Sequence, residues 1–151
     1  MKRIHTDKKL NIITINKTDL PFGYRNSGLE DYLFIWQGEF LLQKSNREKI
    51  REKIDLYLKQ RRKKQPYEYP SAGSVFKNPE GRFAGELIDK CGLKGMQVGG
   101  AVISQKHANF ILNTAATSDD IYQLIKIARD KVREKFGVEL ELEIKLVGEF
   151  S

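Results

Sequence analysis

Ser74 directly follows a glycine, so its hydroxyl could be presented from a tight turn. It lies in Tyr69-Pro70-Ser71-Ala72-Gly73-Ser74-Val75-Phe76-Lys77-Asn78-Pro79, a stretch of proline, glycine and small polar residues too irregular for a helix. Gly73 lets the backbone turn sharply or lie close to a ligand. Lys77 and Asn78 add a cation and an amide that could hold an anionic or carbonyl group. Two readings stand open on residue types alone. One is a site carried on a loop, where chemistry tends to sit. The other is an ordinary polar turn with proline stops, because a serine beside a glycine is a weak motif by itself.

The remaining chemical groups divide in the same way. The run Lys59-Gln60-Arg61-Arg62-Lys63-Lys64 is either a solvated helix end, whose cations favourably oppose the dipole, or a phosphate-binding patch. Glu139, Glu141, Glu143 and Lys145 share one face of an alternating segment. That face is a solvated strand surface, unless the sheet wall lines a cleft and one carboxylate faces a site. Phe22-Gly23-Tyr24-Arg25-Asn26-Ser27 is aromatic and basic, a packing cluster or a ligand-facing loop. His107 has no second histidine or carboxylate at ligand spacing, so a capping or hydrogen-bonding role is expected rather than a metal. Cys91 falls on the apolar face of a short helix and reads as core, not nucleophile. Gly95 to Ser104 lacks Gly-x-Gly-x-x-Gly and a Gly-Lys-Ser/Thr ending. Its glycines predict a strand that approaches other backbone closely.

Composition limits the classes available. The chain has 151 residues, 40% hydrophobic and 31% charged, with a mean hydropathy of −0.52. That suits one domain, or one domain plus a remnant. No run reaches the roughly 18 apolar residues of a membrane helix, and no apolar segment follows Met1-Lys2-Arg3-Ile4-His5 as a secretory signal requires. A single cysteine excludes an internal disulfide and a cysteine-based zinc site, and fits a reducing cytoplasm. The net charge of +7 asks for an acidic partner. An RNA-binding module is disfavoured, since the aromatic-basic RNP pattern, a KH-type loop and a zinc knuckle are all lacking.

These groups need elements to position them. Ile4 and Leu10-Asn11-Ile12-Ile13-Thr14-Ile15 predict a hairpin around Asp7-Lys8-Lys9. Phe34 to Leu42 predicts a strand with Phe34, Trp36 and Phe40 on one face. Ser45-Asn46-Arg47-Glu48 has the form of a capping box. A helix follows to about Arg62, with Ile50, Ile54, Tyr57 and Leu58 on its stripe, and Gln65-Pro66 stops it. Phe83 to Cys91 predicts a short helix closed by Gly92. Asn109 to Asn113 is a strand. Thr117-Ser118-Asp119-Asp120 opens the longest helix, buried through Ile121, Leu124, Ile125, Ala128, Val132 and Phe136 and ended by Gly137. Val138, Leu140, Leu142, Ile144 and Leu146 then alternate as a last strand. The fold class expected is α+β: a small mixed sheet packed with about three helices, preceded by a β-rich segment. A boundary near Ser45 divides residues 1–44 from 45–151.

Taken in order, several of these segments resemble the UDP-N-acetylenolpyruvoylglucosamine reductase family (MurB; UDP-N-acetylmuramate dehydrogenase). They are Phe22-Gly23-Tyr24-Arg25-Asn26-Ser27, Pro70 to Pro79, Ala84-Gly85-Glu86-Leu87-Ile88-Asp89, Gly92-Leu93-Lys94-Gly95, Val98-Gly99-Gly100-Ala101, Lys106-His107-Ala108-Asn109-Phe110 and Phe136 to Ile144. The short gap between Pro79 and Ala84 is similar to the compact type II members. The resemblance implies an NADPH- and FAD-dependent oxidoreductase of the cytoplasm. It serves peptidoglycan synthesis, and through the cell wall cell shape and division. NADPH would reduce FAD, and the flavin would deliver hydride to the enolpyruvyl double bond of UDP-N-acetylglucosamine enolpyruvate. Ser74 matches the family's proton donor and Glu143 the carboxylate that assists it. Tyr24, Lys64, Asn78 and Gln97 match substrate-binding positions, Lys64 as a cation for the carboxylate or diphosphate.

Lys145 stands where the family commonly has arginine and Leu142 where it commonly has proline. The family's N-terminal flavin-cradling region, with a catalytic arginine, has no counterpart in the sequence. The resemblance therefore implies that residues 1–44 are the C-terminal remnant of the FAD-binding (PCMH-type) domain and 45–151 the substrate-binding domain. Met1 reads as an internal methionine of a longer frame or as the start of an expressed piece. Reductase turnover is expected only with a separate FAD-binding polypeptide; no nucleic acid or membrane partner is expected. The alternative is a non-catalytic module binding a UDP-sugar or a partner subunit.

Overall fold

The computed structural model describes residues 2–6, 10–29 and 34–150. The chain forms two compact units, Met1–Arg47 and Glu48–Ser151.

In the first unit, β1 (Lys2–Thr6), β2 (Leu10–Thr14) and β3 (Phe34–Gln37) form a sheet in the order β2-β1-β3. Both pairings are antiparallel, with a register shift between Lys2 and Arg3 on the β3 side. The expected turn at 7–9 lies outside the described residues. The third strand stops at Gln37 rather than continuing to Leu42. Gly38 follows it, and glycine has no side chain to pack within a strand. Trp36 and Phe40 are exposed.

In the second unit, α1 (Arg47–Lys64) is followed by β4 (Ser71–Ser74), α2 (Ala84–Lys90), β5 (Gln97–Val98), β6 (Ala101–Ile103), β7 (Phe110–Asn113) and α3 (Ser118–Phe136). The four strands run in the order β4-β7-β6-β5. The class is α+β with three helices. The sheet, expected to be mixed, is antiparallel in every pairing. Short connections explain two of the three pairings: two residues join β5 to β6 and six join β6 to β7, too short for a parallel crossover.

The longest helix begins and ends where its caps predict. Thr117 accepts a hydrogen bond from the Asp120 N–H, the Asp120 carboxylate accepts one from the Thr117 N–H, and Gly137 closes the helix at φ 65°. Leu124, Ile125, Ala128 and Val132 are buried, and α3 packs on β5, β6 and β7. The shorter α2 buries Ala84, Leu87 and Ile88 against α3. Phe76, Ile88, Ile103, Leu124, Ile125, Val132 and Leu140 are the largest fully enclosed apolar side chains. The predicted close backbone approach is seen at Gly100, where a Cβ would fall 2.5 Å from the Ala115 oxygen and the Ala116 nitrogen.

Two elements depart from expectation. No residue of α1 is buried, and its stripe of Ile50, Ile54, Tyr57 and Leu58 is exposed. The sheet packs against α3 instead. The last strand is not a strand. Residues 138–146 make one isolated bridge, Leu142 to Phe76, with the Lys77 N–H donating to the Glu141 carbonyl (2.8 Å) and the Glu143 N–H to the Val75 carbonyl (2.9 Å). The ladder cannot lengthen, because one end of its partner segment runs into Pro79, which has no N–H, and at the other the Val75 N–H already serves the Asn109 carbonyl.

Candidate functional site

A cavity of about 560 Å³ opens beside β4. Its floor is Ser71, Ala72, Gly73 and Ser74. One wall is Arg61, Gln65, Pro66, Tyr67 and Tyr69, from the last turn of α1 and the loop after it. Phe110, Glu143 and Ile144 close the other side.

The floor is irregular for a local reason. Between Ser71 and Ser74 the register against β7 shifts, and Gly73 sits at φ 84°. A side chain at Gly73 would meet nothing within 4 Å, so backbone conformation and not space demands glycine there. A bulge of this kind re-aims the side chain that follows it. Immediately beyond Ser74, Val75 and Phe76 are each 2% exposed. The Val75 N–H donates to the Asn109 carbonyl (2.9 Å). The Asn109 side chain accepts from the Phe76 N–H (2.9 Å) and donates to the Phe76 carbonyl (2.8 Å). Ser74 is thus presented from a turn whose next two residues are locked into the core.

The acidic face of 139–143 is not uniform. Glu139 is bound by Arg129 at 2.6 Å and Glu141 by Lys77 at 3.2 Å. Both carboxylates are exposed, as a solvated surface predicts. Glu143 is half-buried and lines the cavity with Ser74. Alternation alone made the three equivalent; the bend at Glu143–Ile144 separates them.

The other sequence-derived positions lie elsewhere. Tyr24 belongs to the first unit, at the tip of a tight turn closed by reciprocal Gly23–Asn26 backbone bonds, with the Arg25 guanidinium 5.6 Å from its ring centre. Lys64 ends α1 and is exposed; its neighbour Gln65, not Lys64 itself, lines the cavity. Asn78 accepts a hydrogen bond from the Ala84 N–H (3.0 Å) and so caps α2. Gln97 donates to the Gly99 carbonyl (2.8 Å). It sits on β5, three strand spacings or about 14 Å across the sheet from β4.

Arg61 and Asn109 were missed as individual residues. Arg61 was hidden in a basic run that looks homogeneous, although helical spacing puts it one turn before Gln65. Asn109 could not be found locally, because its partner is 33 residues away. His107 behaves as a hydrogen-bonding residue: its Nδ1 accepts from the Asn109 N–H (3.2 Å), its ring meets Phe110 edge-on at 5.0 Å, and burial pushes its pKa down. Burial pushes the Cys91 thiol up, away from thiolate chemistry. Among the described residues, no helix is long and apolar enough to cross a membrane, and no group of three or more histidine, cysteine, aspartate or glutamate side chains could hold a metal ion.

Comparison with known proteins agrees over nearly the full length. The domain profile of "UDP-N-acetylenolpyruvoylglucosamine reductase, C-terminal domain" matches residues 65–147. The UDP-N-acetylenolpyruvoylglucosamine reductase of Lachnoclostridium phytofermentans is 49% identical over 144 residues, covering 94% of this chain and 46% of that protein. The protein of the same name from Caldicellulosiruptor bescii is 47% identical over 149 residues, covering 96% and 48%. The crystal structure of UDP-N-acetylenolpyruvylglucosamine reductase (MurB) from Thermus caldophilus superposes with a TM-score of 0.72 at 33% identity, covering 95% of this chain and 51% of that one. The chain therefore spans about half the length of the curated relatives it matches.

Proposed function

The chain belongs to the UDP-N-acetylenolpyruvoylglucosamine reductase family, and from that membership we propose that it is the substrate-holding part of a flavin- and NADPH-dependent reductase of peptidoglycan synthesis. In this reading residues 45–151 bind UDP-N-acetylglucosamine enolpyruvate, and residues 1–44 are the tail of a flavin-binding region. The observation that carries the proposal is the shared cavity of Ser74 and Glu143. Ser74 Oγ is the proton donor to the substrate carbon. Glu143, lining the same cavity, polarises the enolpyruvyl group and assists that proton. A hydroxyl is a weak acid, so it needs a neighbouring cation or relay to give up its proton. Tyr24, Lys64, Asn78 and Gln97 are proposed to hold the remainder of a long substrate.

The cavity does not fit the flavin. The one helix end that meets it is the C-terminus of α1, which presents carbonyls, whereas a dinucleotide diphosphate is held by helix N-termini and backbone N–H groups. Arg61 is the single cation among the described residues lining it. No step is therefore assigned to flavin bound by these residues.

Titration calorimetry with the UDP-enolpyruvyl sugar, followed by turnover assays with FAD and NADPH, tests the reading. The chain alone should bind the sugar nucleotide without turning over. Adding the flavin-binding region of a relative should restore turnover to the wild type and not to Ser74→Ala. Turnover by the chain alone would overturn the division of labour, and failure to bind the sugar nucleotide would overturn the site. The exposed stripe of α1, with Ile50, Ile54 and Leu58 each 45–51% accessible, favours association with a partner subunit as a second reading. A monomer that gains no partner when the flavin-binding region is added would argue against it.

A further inference from the structure

We infer that Arg61 is the residue that clamps an oxyanion of the substrate in this cavity, through its guanidinium fork. The inference rests on the reading of the cavity as a sugar-nucleotide site. Arg61 lines the same space as Ser74 and Glu143. Its Nε donates to the Gln65 side-chain oxygen at 3.1 Å, and the Tyr67 hydroxyl donates to that same oxygen at 3.4 Å. One edge of the guanidinium is thereby fixed by a residue one turn on, itself braced by a tyrosine from the loop. Among the described residues no carboxylate pairs with Arg61. Its terminal nitrogens remain available for the paired, parallel hydrogen bonds that a phosphate or carboxylate accepts.

Charge balance points the same way. An anionic ligand entering beside the Glu143 carboxylate meets like-charge repulsion, which a cation on the same lining offsets. Arg61 is the cation there among the described residues; Lys64 does not line the cavity. The oxyanion has two sources in a UDP-enolpyruvyl sugar, the diphosphate and the enolpyruvyl carboxylate, which share the planar recognition that suits a guanidinium and not an ammonium.

The test is calorimetric titration of the wild type, Arg61→Gln and Arg61→Lys with UDP-N-acetylglucosamine and with its enolpyruvyl ether, each variant first checked for an unchanged melting curve. Arg61→Gln should weaken binding of the enolpyruvyl ether about 10- to 100-fold, the range of a lost charge-assisted pair. Arg61→Lys should recover only part of the loss. Equal losses for both ligands place the oxyanion on the diphosphate, and loss confined to the enolpyruvyl ether places it on the carboxylate; either supports the clamp. Arg61→Gln binding within about twofold of wild type, or full rescue by lysine, overturns it. If the wild type binds neither ligand, the reading of the cavity falls and the clamp falls with it; wild-type binding unaffected at Arg61 sinks the clamp alone.

Discussion

Replacing Asn109 should destabilise the second unit more than its size suggests. The side chain is 4% exposed and makes two hydrogen bonds to the backbone of Phe76, itself 2% exposed. Truncation to alanine leaves a buried N–H and a buried carbonyl without their partner. Each such orphan costs about 1–3 kcal/mol, so Asn109→Ala should cost about 2–6 kcal/mol. Water entering the vacated space would hold it to the lower end. Asn109→Leu fills that space with apolar volume and excludes water, so it should cost more than alanine. That ordering is diagnostic. If the site contributed only packing, leucine would be the milder change. Urea unfolding followed by far-ultraviolet circular dichroism gives both values. At roughly 4 °C per kcal/mol, the melting temperature should fall about 8–24 °C. Losses under about 1 kcal/mol in both variants, or alanine worse than leucine, would refute the argument that polar satisfaction holds the segment after Ser74.

Two further outcomes are expected. Gly73 sits at φ 84°, so Gly73→Ala should cost about 1–2 kcal/mol from backbone strain alone and Gly73→Asn less; equal midpoints for all three proteins in urea would contradict the strain account. Burial, with Lys94 nearby, pushes the His107 pKa below its ordinary value in the fold. The unfolded chain then takes up the proton first, so stability is complete above about pH 6.5 and declines as pH falls through the lower folded pKa. Melting curves between about pH 7.5 and 5 should show that decline, and it should flatten in His107→Gln; an unchanged slope would rule out His107 as its source.

Much of the fold could be read from local signals. The longest helix declared both ends, because Thr117, Asp120 and Gly137 act on backbone groups within one turn of themselves. The glycines at 99–100 announced a close approach, which Gly100 makes against Ala115. Reading failed where the deciding partner is distant. Residues 138–146 alternate as well as any strand, yet a strand needs a neighbour with free N–H groups, and Pro79 ends the supply after one bridge. The stripe of α1 has helical spacing but no surface in its unit to cover. At the cavity, Ser74 stood out in its turn but Glu143 could not be told from Glu139 and Glu141; that Ser74 and Glu143 line one space depends on a docking that neither residue's neighbours reveal. Arg61 and Lys64 are indistinguishable in a run of cations, and only the direction of the last helical turn separates them.

The docking of the 139–143 segment onto 75–77 also sets the order in which the molecule can be completed. The contact joins residues about sixty-four positions apart, whereas the sheet pairings and the packing of α2 on α3 join residues closer in sequence. Closing so long a loop early costs chain entropy that local structure does not yet repay. During synthesis Ser74 is therefore displayed on a half-built wall until Glu143 and Ile144 arrive. Because Leu140 on the same segment is part of the core, a chain clipped before it loses core packing and the cavity's lining together.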